Sequence, residues 1–177
     1  MNTMKKPDSH TSLEMPRGLH LSASQDGVIH RILDNMMVKC PAEFILLAEI
    51  SGPLISVHGE KGMTDLNALG ALVAGDLAAS QEIARITGQY QHAQLILREG
   101  PETTAFISEV GEQMVLYMRI RKEVPIGWAR LIILKASRIL LEVISAREEE
   151  VEKLDLDVSE DELNALIGDN LDSIWLS

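Results

Sequence analysis

One cysteine, Cys40, stands in the 177 residues. A disulfide framework within the chain and a thiolate metal cluster both need more than one, so neither is expected, and a reducing compartment fits that count. Aromatic residues are almost as scarce. Two Trp, two Tyr and two Phe make 3% of the chain, which leaves little π surface for stacking bases or sugars and argues against nucleic-acid binding of that kind. Long apolar runs are missing too: no stretch reaches the roughly 18–20 uninterrupted apolar residues of a spanning helix. Lys5 and Lys6 lead into Pro7, Asp8, Ser9 and His10 rather than into the apolar centre of a signal peptide. The expectation is a cytoplasmic protein without membrane insertion. The strong catalytic signatures are absent as well: no Walker-type loop, no Rossmann glycine triplet after a strand, no His pair at i, i+4 flanked by Glu, no Gly-x-Ser-x-Gly elbow. Hence no cofactor, metal site or catalytic residue is expected, and the chain does not read as an enzyme.

What is present is enough apolar mass for one packed domain. Hydrophobic residues make 46% of the chain and charged residues 24%, a balance typical of globular proteins, and with few aromatics the core must rest on Leu, Ile, Val, Ala and Met. The formal charge of -11 is unevenly spread. From Glu148 onward eleven acids face Lys153 alone, which leaves residues 1–147 nearly neutral. An acidic tail repels phosphate backbones and further disfavours nucleic acid as a partner.

Patterning divides the chain into a flexible leader at 1–20, a domain at 21–150 and an acidic tail at 151–177. Ser24 reads as the cap of a first helix over 24–38, with Val28, Ile29, Ile32, Leu33 and Met36 at helical spacing. Pro41 ends it. Phe44–Ile50 is apolar on both faces, as in a covered inner strand, and Leu54–Val57 returns across Ser51-Gly52-Pro53 as its hairpin partner. Thr64 and Gly88 bracket a helix over 65–87. Its Ala68, Gly70, Ala71, Ala74, Gly75, Ala78 and Ala79 make it small on more than one side, which permits close approach of another helix. Three strands follow at 93–98, 103–110 and 113–121, with Glu99-Gly100-Pro101 and Gly111-Glu112 as turns. Pro125 opens a last helix that runs to about Arg147. The order predicts an α/β fold, an α-β-β-α-β-β-β-α sandwich with a five-stranded antiparallel sheet, plus the acidic extension.

Few residues invite chemistry. Cys40 beside Pro41 reads as structural rather than reactive, and the methionines read as core. His58 and Glu60 sit two apart on one extended segment, as an acid/base pair or a polar hairpin tip. Arg119 and Arg121 point to one side of the last strand, either toward a phosphate or acidic partner patch or toward the chain's own Glu residues. Arg130 is a weaker candidate for an arginine presented to a nucleotide-hydrolysing partner. In the tail, Ser159 and Glu162 form a capping box ahead of Leu163, Leu166 and Ile167, with Ile174 and Trp175 beyond. Leu163, Ile167 and Trp175 are candidate partner contacts; the alternative is a solvated extension.

Four segments in order, "EFILLAEISGPLISV" with the loop "HGEKG", "TDLNALGALVAGDLAASQEIARITG", "AQLILREG", and "GEQMVLYMR" leading to "PIGWARLIILKASRIL", resemble the roadblock / dynein light-chain family, and within it the bacterial MglB-like members. The loop departs from the family's frequent small residue and Asp, and the acidic tail matches no family motif. The resemblance implies a roadblock/longin-like domain that forms a homodimer, or a heterodimer with a paralogue, by edge pairing of third strands and packing of the Ala-rich helices. Leu69, Ala71, Val73, Ala74, Ala78, Leu95 and Leu97 would then line the interface. It further implies a non-catalytic platform that binds a small Ras-like GTPase and modulates hydrolysis or exchange, or acts as a scaffold. A signalling sensor or adaptor that binds a small ligand or a partner protein is the alternative.

Overall fold

A computed structural model describes residues 21–60, 62, 64–88, 95–147 and 150–151. The leader and the tail candidates Leu163, Ile167 and Trp175 lie outside the described residues. The first helix, α1 (Ala23–Lys39), starts at a capping box. Ser22 Oγ accepts from the Gln25 backbone N–H, and Gln25 Oε1 accepts from the Ser22 N–H at 2.9 Å. The cap is therefore Ser22 and not Ser24. Ser24 sits inside the helix, with its hydroxyl 2.8 Å from that of Ser22.

Two strands follow, β1 (Ala42–Glu49) and β2 (Leu54–Gly59), each longer than the sequence pattern predicts because their outer residues alternate with polar ones. The second helix, α2 (Leu66–Thr87), is capped by the Asp65 carboxylate rather than by Thr64, and closes at Gly88 with φ of 69°. A residue with a side chain is strained in that left-handed conformation. Then come β3 (Leu95–Glu99), β4 (Thr103–Val110) and β5 (Met114–Arg121), and finally α3 (Ile126–Ser145), with Pro125 just ahead of its first turn.

The five strands form one antiparallel sheet in the order β2-β1-β5-β4-β3. The predicted element order and the five-stranded antiparallel sheet are both present. Because strand side chains alternate between faces, β1 and β5 each feed two cores. Ile45, Leu47, Met114, Leu116, Met118 and Ile120 point to α1 and α3, which pack together on one face. Phe44, Leu46, Ala48, Ile107 and Val115 point the other way, to Val73, Ala74 and Leu77 of α2. The result is three layers, with a helix pair on one face and a single helix on the other.

Two side chains lock the helix pair. The Gln25 amide nitrogen donates to the carbonyls of Val143 and Ile144, and to that of Ala146 beyond the helix, at 3.1–3.3 Å, so the start of α1 satisfies the orphan carbonyls at the end of α3. At the opposite end Trp128 Nε1 of α3 donates to the Lys39 carbonyl at 2.9 Å.

Candidate interaction surface

α2 buries only one of its faces. Gly70, Val73, Ala74 and Leu77 lie against the sheet. Gly70 is required there, since a Cβ at that position would stand 2.9 Å from Leu54 Cδ2 and 3.0 Å from the Gly52 carbonyl oxygen. On the outward side, where a surface helix normally carries charge, stand Ala68, Ala71, Leu72, Gly75, Ala78, Ala79, Ile83 and Ile86, all exposed. Leu72, Ile83 and Ile86 leave 71%, 62% and 70% of their surface open. The spacing of three and four along this set keeps it on one stripe, with small residues between the large ones. A contiguous apolar stripe of this kind marks a contact surface.

The stripe adjoins an open sheet edge. Among the described residues β3 pairs with β4 on one side only, and its Leu97 is 43% exposed. Arg98 ties this edge to α2: Nε lies 2.8 Å from Asp76 Oδ2, and Nη2 lies 2.6 Å from Asp76 Oδ1. This fork holds the guanidinium in its charged form, raising its pKa further above the ordinary value. On α2, Gln81 Nε2 also donates to Glu109 Oε1 of β4 at 2.9 Å. These contacts join the helix to the edge strand and to β4 beside it.

The structure divides the sequence-based interface set. Ala71 and Ala78 are on this exposed surface, whereas Leu95 and Leu97 of the edge strand turn to the opposite face of the sheet, Leu95 half-buried against the α1/α3 core and Leu97 exposed. Val73 and Ala74 are each only 4% exposed and Leu69 packs half-buried against the same core, so these three pack between α2 and the sheet. Leu72, Gly75, Ala79, Ile83 and Ile86 complete the exposed stripe. Counting three- and four-residue steps from Leu72 separates the two faces of the helix, whereas the set from Leu69 to Ala78 draws on both.

Arg119 and Arg121 share a face, as expected, and both reach Glu43 of β1: Arg119 Nε is 3.1 Å from Oε2 and Arg121 Nε is 3.2 Å from Oε1. The Arg119 guanidinium also lies 5.9 Å from the Phe44 ring centre, within reach of a cation–π contact. Arg119 is half-buried in this cluster, while the Arg121 side chain stays 72% exposed. His58 meets Asp34 of α1 at 2.7 Å rather than pairing with Glu60. Cys40 is fully buried, and that burial pushes its thiol up to about 11. Arg130 is exposed on α3. Between α1 and α3 a shallow depression is lined mainly by Ile32, Met36, Ile132, Ala136 and Ile139. No helix among the described residues is long and apolar enough to cross a membrane.

No family model and no curated protein matches the chain. Solved structures do. Myxococcus xanthus MglB is 28% identical, with a TM-score of 0.62 over 66% of this chain and 94% of that one. A gliding protein MglB from Thermus thermophilus is 22% identical, with a TM-score of 0.66 over 73% of this chain and 98% of that one. A Roadblock/LC7 domain from Streptomyces avermitilis shares the fold at 15% identity, with a TM-score of 0.59 over 66% of this chain and 97% of that one. A further similar structure, 21% identical with a TM-score of 0.67 over 77% of this chain and 99% of that one, is an MglB with a tetrameric arrangement. The chain has the roadblock-like α/β fold of these structures and is similar in sequence to Myxococcus xanthus MglB.

Proposed function

We propose that the chain works as a cytoplasmic homodimeric platform that binds and regulates a small Ras-like GTPase without contributing a catalytic residue. The observation that carries this reading is the exposed apolar stripe of α2 adjoining the edge strand β3. Two copies related by a twofold axis would cover both features at once, each stripe against its mate and each β3 against the other β3, and would protect the edge from uncontrolled pairing. Gly75 and the alanines allow the two helices to approach closely. The GTPase half of the reading rests on the MglB-like family, whose members are generally regulatory domains. A regulator need only favour one conformation of its partner's switch segments, and the shift it produces is set by its differential affinity for the two states.

Light scattering of the purified chain, alone and mixed with the small Ras-like GTPase of its own genome in GDP and GTP-analogue forms, tests both halves. A dimer that gains mass with one nucleotide form only is the expected result. Leu72→Glu with Ile83→Glu should give a folded monomer, because both side chains are already exposed and lie outside the core. A monomeric wild-type protein, or an unchanged dimer in the double variant, would remove α2 from the interface. A dimer that ignores the GTPase in every nucleotide form would leave the platform without that partner.

A further inference from the structure

On the face of the sheet opposite α2, where α1 crosses the edge strand β2, two histidines converge. His30 Nδ1 lies 3.1 Å from His58 Nε2, and Ser56 Oγ lies 3.3 Å from the first and 3.0 Å from the second. The three atoms form a nearly equilateral triangle. Ser56 is only 5% exposed, the His58 side chain is 12% exposed and that of His30 is 48% exposed, so the triangle has a closed floor and one side open to water.

The outer nitrogens of both rings face carboxylates. His58 Nδ1 stands 2.7 Å from Asp34 Oδ1, and since an ionised carboxylate only accepts, that nitrogen carries the proton and Nε2 presents its lone pair inward. His30 Nδ1 faces the same point, while its Nε2 stands 3.8 Å from Asp26 Oδ2, beyond hydrogen-bond reach. In the neutral tautomer with its proton on Nδ1, His30 donates to the His58 lone pair; with the proton on Nε2 instead, both inward nitrogens present lone pairs that a metal cation accepts.

We propose that His30 Nδ1 and His58 Nε2, with Ser56 Oγ as a weaker third donor, form a binding site for a late first-row divalent cation of the zinc, nickel or copper class. Tetrahedral coordination with metal–nitrogen distances of ~2.0–2.1 Å places neighbouring donors about 3.3 Å apart, close to the spacing of this triangle. Imidazole is the ligand this class of metal prefers. A carboxylate on the far nitrogen is the usual partner of a metal-bound histidine, fixing its tautomer and ring orientation, and Asp34 stands in that relation to His58. Water completes the coordination on the side where His30 is exposed. No third His, Cys, Asp or Glu among the described residues joins them as a metal-ligand group, so the site is open rather than a closed structural one. The contact order Ser56–His58–Asp34 is also that of a hydrolase triad, but the Ser56 hydroxyl is buried and shared between two imidazoles, which leaves it no approach to a substrate carbonyl. A bound cation would clasp α1 to β2.

Calorimetric titration of the untagged full chain with Ni2+ and with Zn2+ tests the site, with thermal melts at matched concentrations. Saturable binding of one ion per chain and a rise in Tm are expected. Binding should weaken at least tenfold in His30→Gln and in His58→Gln, and by roughly tenfold or more in Asp34→Asn. Far-UV circular dichroism confirms that each variant is folded. Should a variant not fold, proton NMR of the unsubstituted chain decides: substoichiometric Ni2+ should broaden the imidazole signals of His30 and His58 before those of His10, His20 and His92. Affinity unchanged in the histidine variants, broadening confined to the other three histidines, or no saturable binding would overturn the proposal.

Discussion

Gln25 does two jobs with one amide. Its oxygen completes the capping box of α1, and its nitrogen serves three carbonyls at the end of α3. Gln25→Ala leaves those carbonyls without their partner and should destabilise the fold by roughly 1–3 kcal/mol, read as a lower urea midpoint at unchanged slope. Glu is the commoner capping-box residue, yet Gln25→Glu should do no better than Ala here, because its carboxylate keeps the cap but faces carbonyl oxygens. A Glu variant of full stability would show that the contact with α3 contributes little. Cys40 gives the pH prediction. Burial raises its thiol from 9.0 to about 11, so both folded and unfolded chains hold the proton below pH 9. Between pH 9 and pH 11 the unfolded chain loses that proton first. Stability should therefore fall as pH rises through this window, by roughly 2–3 kcal/mol from this group. Cys40→Ala would remove that slope, and a native thiol that reacts readily with a disulfide reagent at pH 8 would contradict the burial. Cys40 was legible as structural from its position after an amphipathic helix. The double role of Gln25 was not, since its α3 partners lie more than a hundred residues away; the Ser22–Gln25 capping pattern was visible, but Ser24 hid it by offering a rival cap.

At the scale of the element, α2 holds two glycines with opposite requirements. Gly70 faces β2 so closely that a methyl group would meet Leu54 Cδ2 and the Gly52 carbonyl. Gly75 has nothing within 4 Å of where its Cβ would stand. The same substitution should therefore act in opposite directions. Gly70→Ala forces the helix off the sheet and should destabilise by about 1–3 kcal/mol. Gly75→Ala should stabilise the protomer by about 0.5–1 kcal/mol through helix propensity, measured in the Leu72→Glu, Ile83→Glu background where no mate is expected, while weakening self-association in the unsubstituted chain. If Gly75→Ala strengthened the dimer, close helix approach at that position would be wrong. The element order was legible because turns and caps punctuate it: Gly88, Glu99-Gly100-Pro101 and Gly111-Glu112 each fall at an element end. The division of α2 into buried and open faces was less so. Alanine fits either environment, and only the few large residues, Val73 and Leu77 inward against Leu72, Ile83 and Ile86 outward, fix the helix rotation.

Across the whole molecule, charge and apolar burial are segregated along the chain. Residues 1–147 are nearly neutral, whereas from Glu148 onward eleven acids accompany one lysine. Between these parts Val151 is fully buried in the core shared by α1 and α3, and a backbone N–H from Val151 reaches the Arg147 carbonyl at 3.1 Å. Val151 thus anchors the chain just where the acidic composition sets in. Val151→Asp places a carboxylate in that core and should cost several kcal/mol, since an unpaired buried charge has no compensating partner. Removal of residues 154–177, in contrast, retains Val151 and every other described core side chain. The shortened chain should unfold in a single cooperative transition with a midpoint close to that of the full chain, and light scattering should give the same oligomeric state. Its net charge would be far less negative, so any GTPase association that depends on the acidic segment would be lost with the dimer intact. A broad, non-cooperative melt of the shortened chain would mean that Leu163, Ile167 or Trp175 packs against the domain itself, and would move those residues from the partner surface into the fold.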